Sequence, residues 1–318
     1  MKILVTGGAG YIGSVTVKRL LQENHEVIVF DNLEQGHKEV VPCNLILGDL
    51  RDKLSYEPLK RQHFDAVIHF AARALAGESM EKPALYFENN ILGGLTLLEF
   101  MREEHIPYII FSSTCAVYGT PEKVPVTEQE SKKPESVYGE SKLAFEKILY
   151  WYDTIYQIKH INLRYFNACG AAIDGSSGEM HHPETHIIPL AMQSALRQIS
   201  FPLFGNDYPT PDGSCIRDYI HIEDLAIAHV LGLKRLVNTK TSDSYNLSTG
   251  KGYSNKEIIH MVQKVSGVRF PVEIKPRRFG DPAIIYGDNT KAKNELGFEP
   301  QYSDLETIIQ SAWQWHKK

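Results

Sequence analysis

The chain opens on a short apolar run, Ile3-Leu4-Val5, which breaks at Gly7 and gives way between Tyr11 and Leu21 to apolar residues at helical spacing. That order predicts a buried strand feeding a helix. Apolar runs return at Glu26 to Phe30, Leu45 to Leu50, Asp65 to Ala72 and Pro107 to Ser113, separated by segments of longer period. Strands alternating with helices imply right-handed crossovers, so the expected fold is α/β, a doubly wound parallel sheet of Rossmann type. Pro83 to Met101 carries a long helical pattern with Gly93 and Gly94 inside it. Each glycine there costs about 1 kcal/mol against alanine, so close packing or a nearby ligand must compensate. A further helix is predicted from Tyr138 through Tyr156.

The pattern changes after that. Asn167 to Pro189 is rich in Gly, Ser, His and Pro without periodicity, which predicts a long functional loop. Ile188 to Ile199 then reads as a helix, Arg217 to His221 as a strand, and His221 onward as another helix. The division expected is residues 1–168 for the doubly wound domain and 169–318 for a smaller mixed α/β domain, with some later segments packing back on the first.

Composition narrows the function classes. The 318 residues are ample for a core, and a formal charge of -5 gives no electrostatic footprint for nucleic acid. No apolar run reaches membrane-spanning length, and the first one ends too soon for a signal core. Cys43, Cys115, Cys169 and Cys215 are widely spaced, which indicates neither a zinc knuckle nor a disulfide framework. A reducing cytoplasm is the expected location. His181, His182 and His186 lie close in sequence, but no convergent carboxylate or thiolate pattern accompanies them, so no metal is expected.

The chemistry begins at the first turn. Gly7, Gly10 and Gly13 sit between strand and helix, where glycine permits a tight turn, lets the backbone approach a phosphate, and lets the helix pack closely. The helix N-terminus adds free N–H groups and the positive end of its dipole. Asp31 ends the second strand, where a carboxylate accepts a bond from an adenosine ribose 2′-hydroxyl and repels a 2′-phosphate, so NAD is favoured over NADP. Asp49 ends the third strand and would lie near the adenine; the small Ala71 and Ala72 would let a cofactor pass. The fifth strand ends in the polar Ser112-Ser113-Thr114, where open sheets bind ligands. Tyr138 and Lys142 are four apart, on one helical face, where an ammonium can lower a phenol's pKa.

With these features in one chain and in this order, the sequence resembles the extended short-chain dehydrogenase/reductases, and within them the branch that epimerises UDP-hexoses at C4. The resemblance runs nearly end to end. Its most specific strings are Leu163 to Asn167, Phe204 to Gly213, Ile216 to His221 and Pro276 to Asp281. It implies a tightly held NAD that takes hydride from C4 and returns it to the opposite face. Tyr138 would be the base, Lys142 would lower its pKa and bind the nicotinamide ribose, and Thr114 would relay the proton. The implied cofactor contacts are Gly7, Gly10, Tyr11, Ile12, Gly13, Asp31, Asn32, Asp49, Leu50, Phe70, Ala71, Ala72, Asn89, Ser112, Tyr138, Lys142 and Tyr165. Those for the UDP-sugar are Thr114, Tyr138, Asn167, His186, Ile187, Phe204, Arg217, Tyr219, Arg278, Asp281 and Ile285. A homodimer through helices near Leu85 to Met101 and Leu143 to Tyr156 is also implied.

Departures from the family pattern sharpen the reading. Arg73 is offset by one position from a lysine that contacts NAD in some members. Ile285 is intermediate between a tyrosine that blocks an N-acetyl group and a small residue that admits it. Cys115-Ala116 stands where 4,6-dehydratases carry an Asp-Glu pair, which disfavours elimination. Epimerases of UDP-N-acetylhexosamines, UDP-glucuronate or UDP-pentoses remain alternatives. So does a silent NAD-sensing module, although that would have no reason to keep Thr114, Tyr138 and Lys142 together.

Overall fold

In the computed structural model, which describes residues 1–278 and 282–318, the alternating runs become one parallel sheet covered on both faces. β1 (Lys2–Thr6) leads through α1 (Tyr11–Gln22) to β2 (Glu26–Asp31), β3 (Asn44–Leu47) and β4 (Ala66–His69). α2 (Ala76–Glu81), α3 (Pro83–Phe87) and α4 (Gly93–Glu103) precede β5 (Tyr108–Thr114), and α5 (Val137–Tyr156) leads to β6 (Lys159–Tyr165). Then come β7 (Asn167–Cys169), α6 (Ile187–Arg197), β8 (Phe201–Phe204), β9 (Ile216–Arg217), β10 (Tyr219–His221) and α7 (Ile222–Thr239). The chain ends with β11 (Asp243–Leu247), β12 (Tyr253–Ser254), α8 (Asn255–Ser266), β13 (Val272–Lys275), β14 (Ile284–Ile285), α9 (Thr290–Leu296) and α10 (Leu305–His316).

The main sheet runs β11-β6-β5-β4-β1-β2-β3, every pair parallel. Its order reverses between β1 and β4, which opens a crevice at the carboxyl ends of those strands. Alternate residues feed two cores. Ile3, Val5, Val29, Ile68 and Leu163 pack with α1 and α7, while Leu4, Val67, Ile109 and Phe111 pack with α4 and α5. α7 and β11 therefore return to the first layer. A separate core of Ile188, Met192, Leu203, Tyr219, Ile258 and Ile308 lies among α6, α8 and α10. Short pairs β7–β10 and β8–β13 and the three-stranded β12-β9-β14 complete this smaller mixed part. Among the described residues no helix is long and apolar enough to cross a membrane.

Three local expectations are corrected. The helix expected over Pro83 to Met101 contains a π-helical turn at Glu88–Leu92. Gly94 just beyond it is explained by packing, since a Cβ would lie 2.3 Å from the Phe145 ring. The strand expected over Arg217 to His221 splits at Asp218, whose buried carboxylate accepts from Thr249 N at 2.9 Å, Thr249 Oγ1 at 2.8 Å and Gly287 N at 3.3 Å. These bonds take the two halves into different sheets. The loop expected from Asn167 begins later, because Asn167 to Cys169 pairs with β10.

Candidate active site

The crevice floor is built from backbone. Gly7 has φ +74°, and a Cβ there would lie 2.4 Å from Ala71 N; one on Gly13 would lie 2.3 Å from the Gly7 carbonyl. β1, α1 and the end of β4 thus meet with no side chain between them. Gly10 begins α1 with no side-chain cap, so first-turn N–H groups at Tyr11 and Ile12 are open to an anion. Asp31 Oδ2 accepts from Ala9 N at 3.0 Å and Oδ1 from Leu33 N at 2.9 Å. Burial raises its pKa, and those bonds pull it back.

At the crevice mouth, Asp49 accepts from Arg51 Nε at 2.8 Å and from Asn32 Nδ2 at 3.3 Å. The Arg51 bonds hold its carboxyl at about 2. Glu34 pairs with Arg51 at 3.2 Å and with Arg73 at 2.5 Å, so Arg73 is committed across the mouth. Leu50 and Ala71 join the core on one face of the sheet. Phe70 packs on His229, ring centroids 4.5 Å apart, and His229 meets Tyr165 at 5.8 Å. The π-helical turn places Asn89 half-buried and Asn90 fully inside. Asn90 clasps the Arg73 backbone at 2.9 and 3.1 Å and donates to Ser141 Oγ at 2.9 Å. Sequence reasoning named its neighbour; only burial separates the two.

Thr114, Tyr138 and Lys142 converge at the end of β5. Ser136 caps α5 by accepting from Gly139 N at 3.1 Å, and a Cβ on Gly139 would lie 2.6 Å from the Ala116 carbonyl. The first turn of α5 therefore lies against the turn after Thr114. The Tyr138 phenol is pushed up to about 12 by burial, opposed by its hydrogen bond with the Thr114 side chain. Lys142 Nζ donates to the Ser112 carbonyl at 2.8 Å and sits 4.8 Å over the Phe111 ring. Burial pulls it down to about 7. Desolvation dominates both groups, in place of the expected lowering of the phenol by an ammonium. Tyr165 and Ser112 hydroxyls bond each other beside this cluster.

Under it lies a buried network that sequence reasoning missed. Arg164 reaches Glu146 through two bonds of 2.9 and 2.6 Å; Glu146 also accepts from Ser113 Oγ at 2.6 Å. Arg164 donates to Tyr118 at 2.9 Å, and Tyr118 to Asn246 at 2.7 Å. A Glu four residues after a Lys was the only visible signal.

Across the crevice, β7 and β10 pair Asn167 with Tyr219, and Asn167 Nδ2 donates to the Asp218 carbonyl at 2.8 Å. β9 and β14 pair Arg217 with Ile285. Ile285 is buried among Val117, Tyr118, Leu143 and Phe166 and so packs behind the turn after Thr114. Phe204 ends β8 with the Arg278 guanidinium 4.1 Å over its ring. His186 and Ile187 begin α6. Asp281 lies outside the described residues. His181 and His186, unlike the exposed His182, meet two carboxylates the sequence did not bring together with them, Glu179 and Glu184. Burial opposes charge there, yet the contacts hold Glu179 at about 2 and His186 at about 10.

The pattern of the NAD dependent epimerase/dehydratase family matches residues 3–248. A protein from Halalkalibacterium halodurans named UDP-glucose 4-epimerase is 48% identical, over 100% of this chain and 96% of its own length. The chain belongs to the NAD dependent epimerase/dehydratase family. Within it, the UDP-glucose 4-epimerase of Brucella ovis, solved in complex with NAD, superposes with a TM-score of 0.95 at 44% identity, covering 98% of this chain and 97% of that one. That of Bifidobacterium longum, solved with NAD+ and UDP, gives 0.94 at 36% identity, covering 100% and 98%. The family's doubly wound sheet and the reversal between β1 and β4 are the parts of this fold that frame the crevice.

Proposed function

We propose that the chain is an NAD-dependent UDP-hexose 4-epimerase interconverting UDP-galactose and UDP-glucose. The observation that carries this is the hydrogen-bonded Thr114–Tyr138 pair beside buried Lys142, facing the glycine turn across the crevice. NAD fits the donor set: uncapped N–H groups at Tyr11 and Ile12 suit a diphosphate, and Asp31 suits a ribose diol. When bound, NAD accepts hydride from C4 of the sugar and returns it.

Tyr138, as phenolate, takes the 4-hydroxyl proton as C4 gives up its hydride, with Thr114 bridging phenolate and sugar oxygen; the proton goes back when the other face of the 4-ketone is reduced. No net redox change results. Lys142, held near 7 by burial, stabilises in its ammonium form the phenolate that must be present before the proton is taken. Arg217 and Arg278 serve the diphosphate of the substrate, Phe204 the uracil, and Asn167, Tyr219, His186, Ile187 and Asp281 the remaining contacts. The 4,6-dehydratase reading lacks its carboxylates at Cys115 and Ala116.

The division at residues 168 and 169 belongs to the same proposal, with NAD on the first part and nucleotide sugar on the second. Phe87, Leu92, Tyr150, Trp151, Ile155 and Tyr156 leave large apolar surface on α3, the π-helical turn and α5, which supports a homodimer through those helices. Four free cysteines support a cytoplasmic location. The test is incubation of purified protein with UDP-galactose, first without and then with added NAD, followed by chromatography. UDP-glucose is the expected product. No conversion under either condition would overturn the assignment, and parallel runs with UDP-N-acetylgalactosamine, UDP-galacturonate and a UDP-pentose separate the alternatives.

A further inference from the structure

Between β7 and α6, four side chains with metal-ligating atoms reach one point, and the epimerase reading gives a role to His186 alone among them. Glu179 Oε1 lies 3.0 Å from His181 Nδ1 and 2.7 Å from His186 Nδ1; Glu184 Oε1 lies 2.9 Å from the same His186 nitrogen. The carboxylate side chains of Glu179 and Glu184 are 6% and 8% exposed, so neither is a solvated surface charge. An imidazole Nδ1 carries at most one proton, yet that of His186 faces two carboxylate oxygens, and both rings turn to one oxygen of Glu179. Two carboxylates with two imidazoles make an N2O2 donor set whose negative charge a divalent cation neutralises on displacing the His186 proton.

The scaffold around the cluster is firm. Trp315 Nε1 donates to the Glu179 carbonyl at 3.2 Å, and Gly178 packs so closely that a Cβ would lie 2.4 Å from the Trp315 ring. His181 meets Tyr11 edge-on with centroids 6.1 Å apart, and His186 stands at the start of α6. We propose that Glu179, His181, Glu184 and His186 form a four-coordinate site for a divalent transition metal of zinc's class within the loop ahead of α6, which packs against Tyr11 of α1 and Trp315 of α10. Ligand atoms around tetrahedral zinc lie about 3.4 Å apart given bonds of about 2.0–2.1 Å. The four atoms here lie within 4.8 Å of one another and three pairs stand at 2.7–3.0 Å, so closure asks the close pairs to open by about 0.4–0.7 Å and the widest to contract by about 1.4 Å. The imidazoles set this site apart from the all-oxygen cages of calcium and magnesium.

The test reads metal directly. Full-length protein, freed of metal with a chelator, is titrated with Zn2+ by calorimetry and with Co2+ by visible absorption. One saturable site is expected, with Co2+ bands of four-coordinate intensity, and binding at least about tenfold weaker in Glu184→Gln and in His181→Gln. Circular dichroism checks that the variants fold; if one does not, the other carries the test. No saturable site, or affinity unchanged in both variants because other histidines take the metal, would overturn the proposal. Neither outcome bears on turnover, so failure here leaves the epimerase assignment where it stands.

Discussion

The two walls of the crevice are built differently. On the β5–α5 side, Ser112, Ser113, Thr114, Lys142, Glu146 and Arg164 are each no more than 7% exposed, and they are tied to one another by bonds across three elements. On the opposite side, His186 and Arg278 are exposed, Arg217, Phe204 and Ile187 are half-buried, and they sit at element ends or on loops. Proton transfer tolerates little misplacement, so its groups stand on strands and helices with a braced interior. Recognition must let a large anionic substrate in and out, which favours side chains with room to move.

The contrast makes ordered predictions. Tyr138→Phe removes the only phenolic proton acceptor of the proposed mechanism and should lower kcat by about 10³–10⁴ with substrate binding retained; ordinary turnover would break the assignment of the base. Arg164→Met leaves the buried Glu146 carboxylate unpaired and should cost about 3–5 kcal/mol in a denaturant melt, though Arg164 touches no substrate in this scheme. A change below about 0.5 kcal/mol would show that the bracing is not what stiffens this wall.

Lys142→Met should abolish activity and yet stabilise the fold. Burial lowers Lys142 to about 7, so between pH 7 and its ordinary value near 10.5 the unfolded chain binds more protons than the folded one. Stability contributed by this group therefore rises with pH through that window, and its penalty is complete below pH 7. The substitution should add of order 2–4 kcal/mol at pH 6 and close to nothing by pH 10.5, read from thermal melts across pH. A gain independent of pH would mean that packing, not desolvated charge, is responsible. On the other wall, Arg278→Ala should raise KM about tenfold with kcat and stability little changed, as a charge-assisted contact to a diphosphate implies. A fall in kcat of the same size would erase the distinction between the walls.

How much of this was legible follows from distance along the chain. The glycine turn, Asp31 and the Tyr138–Lys142 spacing are local patterns, and the structure brings them to one crevice. That Asn90 is buried and its neighbour Asn89 only half-buried follows a π-helical turn that no period announces. Ile285 reads as a substrate contact in sequence, and its packing with Val117, Leu143 and Phe166 is visible only in the fold. Glu179 and Glu184 stand beside the histidines in the chain, but which of those side chains converge depends on the loop's path beneath Trp315.

The sequence by itself determined the alternation of strands and helices, the phosphate-suited turn and the acid that follows it, because each arises from periodicity or backbone freedom within a few residues. Tertiary structure alone decided the protonation of Lys142 and Tyr138, the Glu146–Arg164 brace, the split at Asp218 and the Glu–His cluster. Those depend on burial and on partners from elements far apart in the chain, and desolvation has no signature in a string of residues until the chain closes over them.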